Sequence, residues 1–311
     1  CCVAFTAGCN LRCPYCHNAG LVGSDGREGF PTDVLWEHLE SRRGRLDGLT
    51  VTGGEPTVRK DLPQLIELLA KIKGIEEIGL TTNGSDLLKN AEVYQKAGID
   101  RVNISLNTLQ PERYKKITDG HDLEPVLQGL ERCLEIGWIP VKLNVILFKG
   151  INDDELFDFV RLSLNQPISV RFIEFFCTSE RFLELKRQFV PNPETQERIE
   201  QEFGKLENDP KTPTNGPADN FKIPGSTGSI GFISTETKPF CPTCNRLRLT
   251  ADGKLLPCLF SHHHLDIKEL LRLGKSDLEI QVALDSLFID KDIIHRDLQK
   301  LHEFEMSGIG G

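Results

Sequence analysis

"CVAFTAGCNLRCPYC", residues 2 to 16, carries a short β-prone run straight into a loop holding Cys9, Cys13 and Cys16 in a C-x-x-x-C-x-x-C pattern. Working outward, five more such runs follow: GLTVTGGEP (48 to 56), EEIGLTTNG (76 to 84), RVNISLNT (101 to 108), VKLNVILFKG (141 to 150) and SVRFIEFF (169 to 176). Each ends in polar or glycine residues and is followed by a stretch of helical period. Strands alternating with helices read as βα units with parallel strands. In DLPQLIELLAKIKG, Leu62, Leu65, Ile66, Leu69 and Ile72 share one face, which covers the sheet. The fold class is α/β, and 311 residues exceed one ordinary core, so a large barrel with an extension, or two domains, is expected.

No apolar run approaches the roughly 18 residues a membrane span needs. A net charge of -9 argues against a broad nucleic-acid surface, which would need an excess of Lys and Arg. Of the ten cysteines, six fall in two groups, Cys9, Cys13, Cys16 and Cys241, Cys244, Cys258. Disulfide sets belong to short domains with poor cores, so clustered spacing here favours metal ligation and a reducing cytoplasm. Cys133, inside a helix-like stretch, reads as a small core residue.

Polar residues gather at the strand ends: Gly53, Gly54 and Glu55, then Thr81, Thr82 and Asn83, then Ser105 and Asn107. In parallel α/β sheets that edge binds ligands. After 177 the alternation breaks into a helix-like stretch, and residues 204 to 229, rich in Pro, Gly, Asn and Thr, read as a long irregular connection. A strand-like GSIGFIST (228 to 235) leads to the second cysteine group, and two amphipathic helices follow. Residues 1 to 177 are expected to form the barrel and 178 to 311 an extension packed on it.

Three thiolates cannot close a four-ligand site. A zinc site would need a fourth ligand, which His17 can supply to the first group, whereas an iron-sulfur cluster can keep its fourth iron open. In the second group the C-x-x-C pair Cys241 and Cys244 precedes Cys258.

The first cysteine pattern, with the aromatic Tyr15 before its last cysteine and TGGEP at 52 to 56, resembles the radical S-adenosylmethionine enzymes. The resemblance implies a partial (βα)6 TIM-like barrel and a [4Fe-4S] cluster held by Cys9, Cys13 and Cys16. Its open iron would bind S-adenosylmethionine, whose reductive cleavage gives a 5′-deoxyadenosyl radical. It also implies that Gly53, Gly54 and Glu55 hold the amino group of that cosubstrate, and that Tyr15, Thr81, Asn83, Ser105, Asn144 and Phe176 line its pocket.

CPTCNRLRLTADGKLLPCLF (241 to 260), VNISLNTLQPERY (102 to 114), VKLNVILFKGINDDE (141 to 155) and the terminal Gly310-Gly311 are similar to the GTP 3′,8-cyclase family of molybdenum cofactor biosynthesis. That similarity implies a lyase converting GTP to (8S)-3′,8-cyclo-7,8-dihydroguanosine 5′-triphosphate. A second [4Fe-4S] cluster on Cys241, Cys244 and Cys258 would face the purine. Arg246 and Arg248 would bind substrate and act in catalysis, with Gly310 and Gly311 threading in beside them. Lys142, Arg171 and Arg59 or Lys60 would add basic substrate contacts. The implied partners are GTP, an electron donor and a downstream cyclic pyranopterin monophosphate synthase, and a homodimer is left open.

The chain departs from that family where basic residues are usual, carrying Cys2, Gly8, Gly48 and Thr50 instead. A GTP cyclase with a thinner phosphate clamp is expected. The alternative is a two-cluster relative acting on another nucleotide or a peptide.

Overall fold

The structure is a computed structural model that describes residues 2–6, 8–16, 22, 39, 48–177, 182–209, 217–238, 248–249, 254–257 and 264–294. By their contacts, Cys1–Phe176 and Leu185–Pro239 form one compact unit, and Cys177–Glu184 with Phe240–Gly311 form another.

In the first unit, β1 (Cys2–Thr6), β2 (Gly48–Gly53), β3 (Glu77–Thr82), β4 (Arg101–Ser105), β5 (Val141–Val145) and β6 (Ile168–Ile173) lie side by side in chain order, all parallel. These are the six predicted βα strands. The sheet then continues beyond the prediction. β7 (Glu207–Asn208) and β8 (Asp219–Lys222) lie within the stretch read as irregular, and β9 (Ser229–Ile233) pairs parallel with β6 while β8 and β7 extend it antiparallel. Two- and four-residue strands amid Pro, Gly and Asn are too short to establish an alternating pattern. The pairing of β9 with β6 keeps Leu185–Pro239 with the sheet, so the contacts divide the chain differently from the expected boundary at 177.

Residues paired across a ladder point to the same side, so the register separates two faces. One face carries apolar rungs: Val51, Leu80 and Val102, then Ile104, Leu143, Val170 and Ile230, then Val145, Phe172 and Phe232, all buried. The other carries polar rungs: Thr50, Gly79 and Arg101, then Thr81, Asn103, Lys142, Ser169 and Ser229, then Ser105, Asn144, Arg171 and Gly231. A sheet with one apolar and one polar face packs helices on the first and leaves the second for a ligand.

The helices are α1 (Leu62–Ala70), α2 (Leu87–Ala97), α3 (Pro111–Ile117), α4 (Glu124–Glu135), α5 (Leu156–Asn165) and α6 (Asn192–Phe203). Proline in the first turn of α1, α3, α4 and α6 costs no hydrogen bond and presets the helical φ. Leu62, Leu65, Ile66 and Leu69 of α1 are buried as their spacing predicts, with Ile72 just beyond the helix, and Cys133 of α4 is fully buried. Helices α2 and α4 approach closely at Gly129, where a Cβ would stand 2.9 Å from that of Leu87.

The second unit holds a three-stranded antiparallel sheet, β10 (Arg248–Leu249), β11 (Lys254–Leu256) and β12 (Leu265–Asp266). Helices α7 (Ile267–Arg272) and α8 (Asp277–Ile294) follow where two amphipathic helices were predicted. The Asp266 side chain caps α7, accepting from Glu269 N at 2.7 Å. Among the described residues no helix is long and apolar enough to cross a membrane.

Candidate active site

The three-cysteine loop leaves β1 at Thr6 and is fastened at once to the end of β2. Gly54 N donates to Thr6 O at 2.9 Å and Glu55 N donates to Gly8 O at 2.7 Å. Gly8, at φ +86°, takes a left-handed turn that favours glycine. Within the loop Leu11 N points at Cys9 Sγ, 3.4 Å away, and Cys16 N donates to Cys13 O at 3.2 Å. The three thiols lie within electrostatic reach of one another. Burial, then the neighbouring Cys16 and Cys9, push the Cys13 thiol up to about 12, and burial raises Cys9 as well. The Cys9 and Cys13 thiols therefore stay protonated at neutral pH, so metal binding there releases their protons. Among the described residues no three His, Cys, Asp or Glu side chains close around a single metal ion. A loop presenting three thiols, with a backbone N–H aimed at one sulfur, fits a cluster that takes three protein ligands and leaves one iron open.

Glu55, expected to complement an ammonium, is 1% exposed and occupied by protein donors. Its Oε1 accepts from Thr57 N at 3.1 Å, Thr57 Oγ1 at 2.7 Å and Thr82 Oγ1 at 2.6 Å, and its Oε2 accepts from Asn83 N at 2.6 Å. Burial raises this carboxyl, and the donated bonds oppose the rise. Glu55 thus ties the end of β2 to the loop after β3. Asn83 reaches back to the cysteine loop, its Nδ2 donating to Asn10 Oδ1 at 2.8 Å, while Asn10 Nδ2 donates to Ser85 Oγ at 3.1 Å.

Two more buried carboxylates make similar ties. Glu155 Oε1 accepts from Thr108 Oγ1 at 2.6 Å and also pairs with Arg113, while Oε2 accepts from Leu109 N. Glu174, after β6, accepts from Asn192 N at 2.9 Å, Glu236 N at 2.8 Å and Thr237 N at 3.0 Å. The loops at the strand ends are therefore pinned to one another around the mouth of the sheet.

Tyr15 ties the loop to the segment after β4. Asn107 Nδ2 donates to its hydroxyl at 2.9 Å, and its ring lies 5.7 Å from that of Phe148. Asn107 is itself held, its Oδ1 accepting from Ile146 N at 2.8 Å and its carbonyl from Asn152 Nδ2 at 2.6 Å.

The polar rungs bring Thr81, Ser105, Asn144, Lys142 and Arg171 to one face. Asn103 joins them, donating to Thr81 Oγ1 at 3.3 Å and accepting from Arg171 at 3.5 Å. The stem of Arg171 passes over Gly231, where a Cβ would stand 3.1 Å from Arg171 Cγ. Burial first, then the charges of Arg171 and Arg101, hold the Lys142 ammonium down to about 7. Burial and Arg101 likewise hold Arg171 down to about 10. Among the described residues, Arg171 Nε and Asn144 Oδ1 are buried without a hydrogen-bond partner.

Arg59 follows the short 3-10 turn after Glu55 and pairs with Asp61 at 2.8 Å. Phe176 lies three residues beyond β6. Arg248 falls on β10, in register with Leu256, so this segment is extended. His17, Cys241, Cys244, Arg246, Cys258, Gly310 and Gly311 lie outside the described residues. Sequence reasoning passed over Asn10, Arg101, Asn103 and Asn152. The period-two run Arg101, Asn103, Ser105 was the available signal for two of them, since alternate polar residues in a strand mark a polar face.

Fold and site together define the class. A family model for the radical SAM superfamily matches residues 3–163, and one for Molybdenum Cofactor Synthesis C matches residues 168–296. The solved structure of Streptococcus suis SuiB bound to S-adenosylmethionine superposes with a TM-score of 0.53 at 17% identity, covering 88% of this chain and 65% of that one, a likeness of fold. The strands thus form the partial barrel of radical SAM enzymes. Within that class the chain belongs to the GTP 3′,8-cyclase family. It is 39% identical over 314 residues to the GTP 3′,8-cyclase of Alkaliphilus oremlandii, covering 99% of this chain and 96% of the relative. It is 43% identical over 284 residues to that of Moorella thermoacetica, covering 89% and 86%. Over 323 residues it is 36% identical to the mitochondrial enzyme of Arabidopsis thaliana, covering 99% and 80%.

Proposed function

We propose that this chain is a radical S-adenosylmethionine lyase that cyclises GTP to (8S)-3′,8-cyclo-7,8-dihydroguanosine 5′-triphosphate, the first step of molybdenum cofactor biosynthesis. One observation carries the proposal: a three-cysteine loop is locked to the end of β2 in the same sheet whose polar face bears Lys142 and Arg171. A [4Fe-4S] cluster on Cys9, Cys13 and Cys16 supplies, with S-adenosylmethionine, the radical chemistry when bound. Gly53 and Gly54 let backbone approach the cosubstrate closely. Glu55 keeps that backbone and Asn83 in place, and Thr81, Ser105, Asn144, Tyr15 and Phe176 line the pocket. Lys142 and Arg171 attract the phosphates, and Arg59, which pairs with Asp61, adds a further basic contact.

The extension, residues 178–311, is assigned the choice of substrate. A second [4Fe-4S] cluster on Cys241, Cys244 and Cys258 would present an open iron to the purine, with Arg246, Arg248, Gly310 and Gly311 beside it. An electron donor, a downstream cyclic pyranopterin monophosphate synthase, a cytoplasmic setting and a homodimer complete the proposal.

Anaerobic reconstitution tests it, followed by incubation with S-adenosylmethionine, a reductant and GTP. The expected result is about eight irons per chain, in two four-iron clusters, and formation of the cyclised nucleotide. Production of 5′-deoxyadenosine with GTP unchanged would transfer the assignment to another substrate. Zinc in place of iron after strictly anaerobic purification would overturn it.

A further inference from the structure

We infer that Arg101 is a third substrate-binding cation, parked on Glu77 in the free protein and transferred to the substrate's phosphates on binding. The inference rests on the proposed GTP chemistry and adds to it a residue that the site as described leaves without a role.

The strand register puts Arg101 on the polar face. It pairs with Gly79, which pairs with Thr50, while the next rung up β4 holds Asn103 opposite Lys142. The rung of Arg101 therefore adjoins that of Lys142, and Arg171 stands on the rung beyond. Gly79 has no side chain to occupy the rung beside Arg101, and the nearest side-chain atom to a Cβ there would be the neutral Thr50 Oγ1 at 3.6 Å. The three cations feel one another, for Arg101 contributes to lowering both Lys142 and Arg171.

Their counter-charge is incomplete. Among the described residues of β2 to β6 and β9, the polar face carries Arg101, Lys142 and Arg171 against one carboxylate, Glu77, which pairs with Arg101. A protein gains nothing from two uncompensated buried cations unless an anion joins them. The buried Arg171 Nε and Asn144 Oδ1, both without partners, show where polar contacts are still to be made. The Arg101 and Glu77 side chains are 42% and 39% exposed while the paired Glu77 Oε1 is itself buried, so the guanidinium is reachable from solvent and a polyphosphate can replace the single carboxylate. A guanidinium suits this exchange because its planar fork matches carboxylate and phosphate oxygens alike.

Anaerobic calorimetry on the two-cluster holoenzyme tests the exchange, with GTP and guanosine as separate ligands. Arg101→Gln is expected to weaken GTP about tenfold or more, the scale of one charge-assisted contact, and to leave guanosine unchanged. Glu77→Gln, which removes the competing carboxylate, is expected to keep or tighten GTP binding. Arg101→Lys keeps the charge and loses the fork, so a smaller loss confined to GTP is expected, and it serves if Arg101→Gln does not fold. If Arg101→Gln and Glu77→Gln lower the melting temperature alike while GTP affinity stays at the wild-type value and Lys142→Gln loses it, Arg101 is a structural ion pair and the inference fails alone. If the wild-type holoenzyme binds guanosine as well as GTP, the phosphate-binding assignment falls, and this inference falls with it.

Discussion

A Cβ built on Gly54 would stand 2.0 Å from the carbonyl oxygen of Gly8 and 2.8 Å from its carbonyl carbon, so the two glycines meet backbone to backbone. No side-chain rotation can relieve such a clash, because both atoms belong to the main chain that carries Cys9. Gly54→Ala is therefore expected to push the cysteine loop off the end of β2. Iron bound after reconstitution should fall by about half in a two-cluster protein, and cleavage of S-adenosylmethionine should fall at least about tenfold. Wild-type iron content and cleavage in this variant would show that the close approach is unimportant.

Glu55 makes a different kind of fastening. All four of its partners are donors, so a carboxylate suits them and a carboxamide does not. Glu55→Gln should turn an N–H toward another N–H or O–H and destabilise the protein by about 1–3 kcal/mol. Urea unfolding under anaerobic conditions measures this, and an unshifted midpoint would mean that Glu55 does not brace the loops.

The lowered ammonium of Lys142 makes stability depend on pH and gives its proposed phosphate contact a pH signature. Its ammonium titrates near 7 in the folded protein and at roughly 10.4 in an unfolded chain. Between those values the unfolded chain holds the extra proton, so this group makes stability rise with pH from about 7 upward and lowest below it. Lys142→Met should flatten that slope and raise the melting temperature near pH 6.5, while weakening GTP about tenfold or more. In the wild type, GTP binding should weaken as pH rises above about 7 and should take up a proton there, readable by calorimetry in two buffers of different ionisation enthalpy. Binding without proton uptake at pH 8 would contradict the assignment.

Asn107 supports Tyr15 and the backbone of Ile146 together. Asn107→Ala leaves both without partners and should cost about 1–3 kcal/mol, whereas Tyr15→Phe removes one hydrogen bond and should cost about 0.5–1.5 kcal/mol. The reduced cluster's electron paramagnetic resonance signal should also shift in Asn107→Ala if the loop moves. Equal stability losses in the two variants would point to a single shared bond.

The parallel core was legible because β2 to β6 each combine a buried apolar row with a polar end, and Leu62, Leu65, Ile66 and Leu69 repeat at helical spacing. The cysteine loop and Gly53-Gly54-Glu55 were picked out by their types and spacing, and the structure brings them together through the bonds from Gly54 N to Thr6 O and from Glu55 N to Gly8 O. What Glu55 touches was not legible, because a buried carboxylate and a ligand-facing one look the same in sequence until Thr57, Thr82 and Asn83 are seen converging on it. β7 and β8 were hidden by brevity. Arg101 was passed over because a charge at the start of a strand usually means solvent; the period-two run Arg101, Asn103, Ser105 hinted at a polar face, and the register then placed it on the face of Lys142.

The two-faced sheet also bears on how such an enzyme can change. Asn103 and Lys142 lie on the polar face, while their immediate neighbours Val102, Ile104, Val141 and Leu143 are buried on the apolar one. Chemistry and folding are thus written on alternate letters of the same strand. A saturation scan of β4 to β6 scored for both expression and turnover should give two interleaved combs, each tolerant where the other is strict, and new substrates can be explored along one comb without loosening the other.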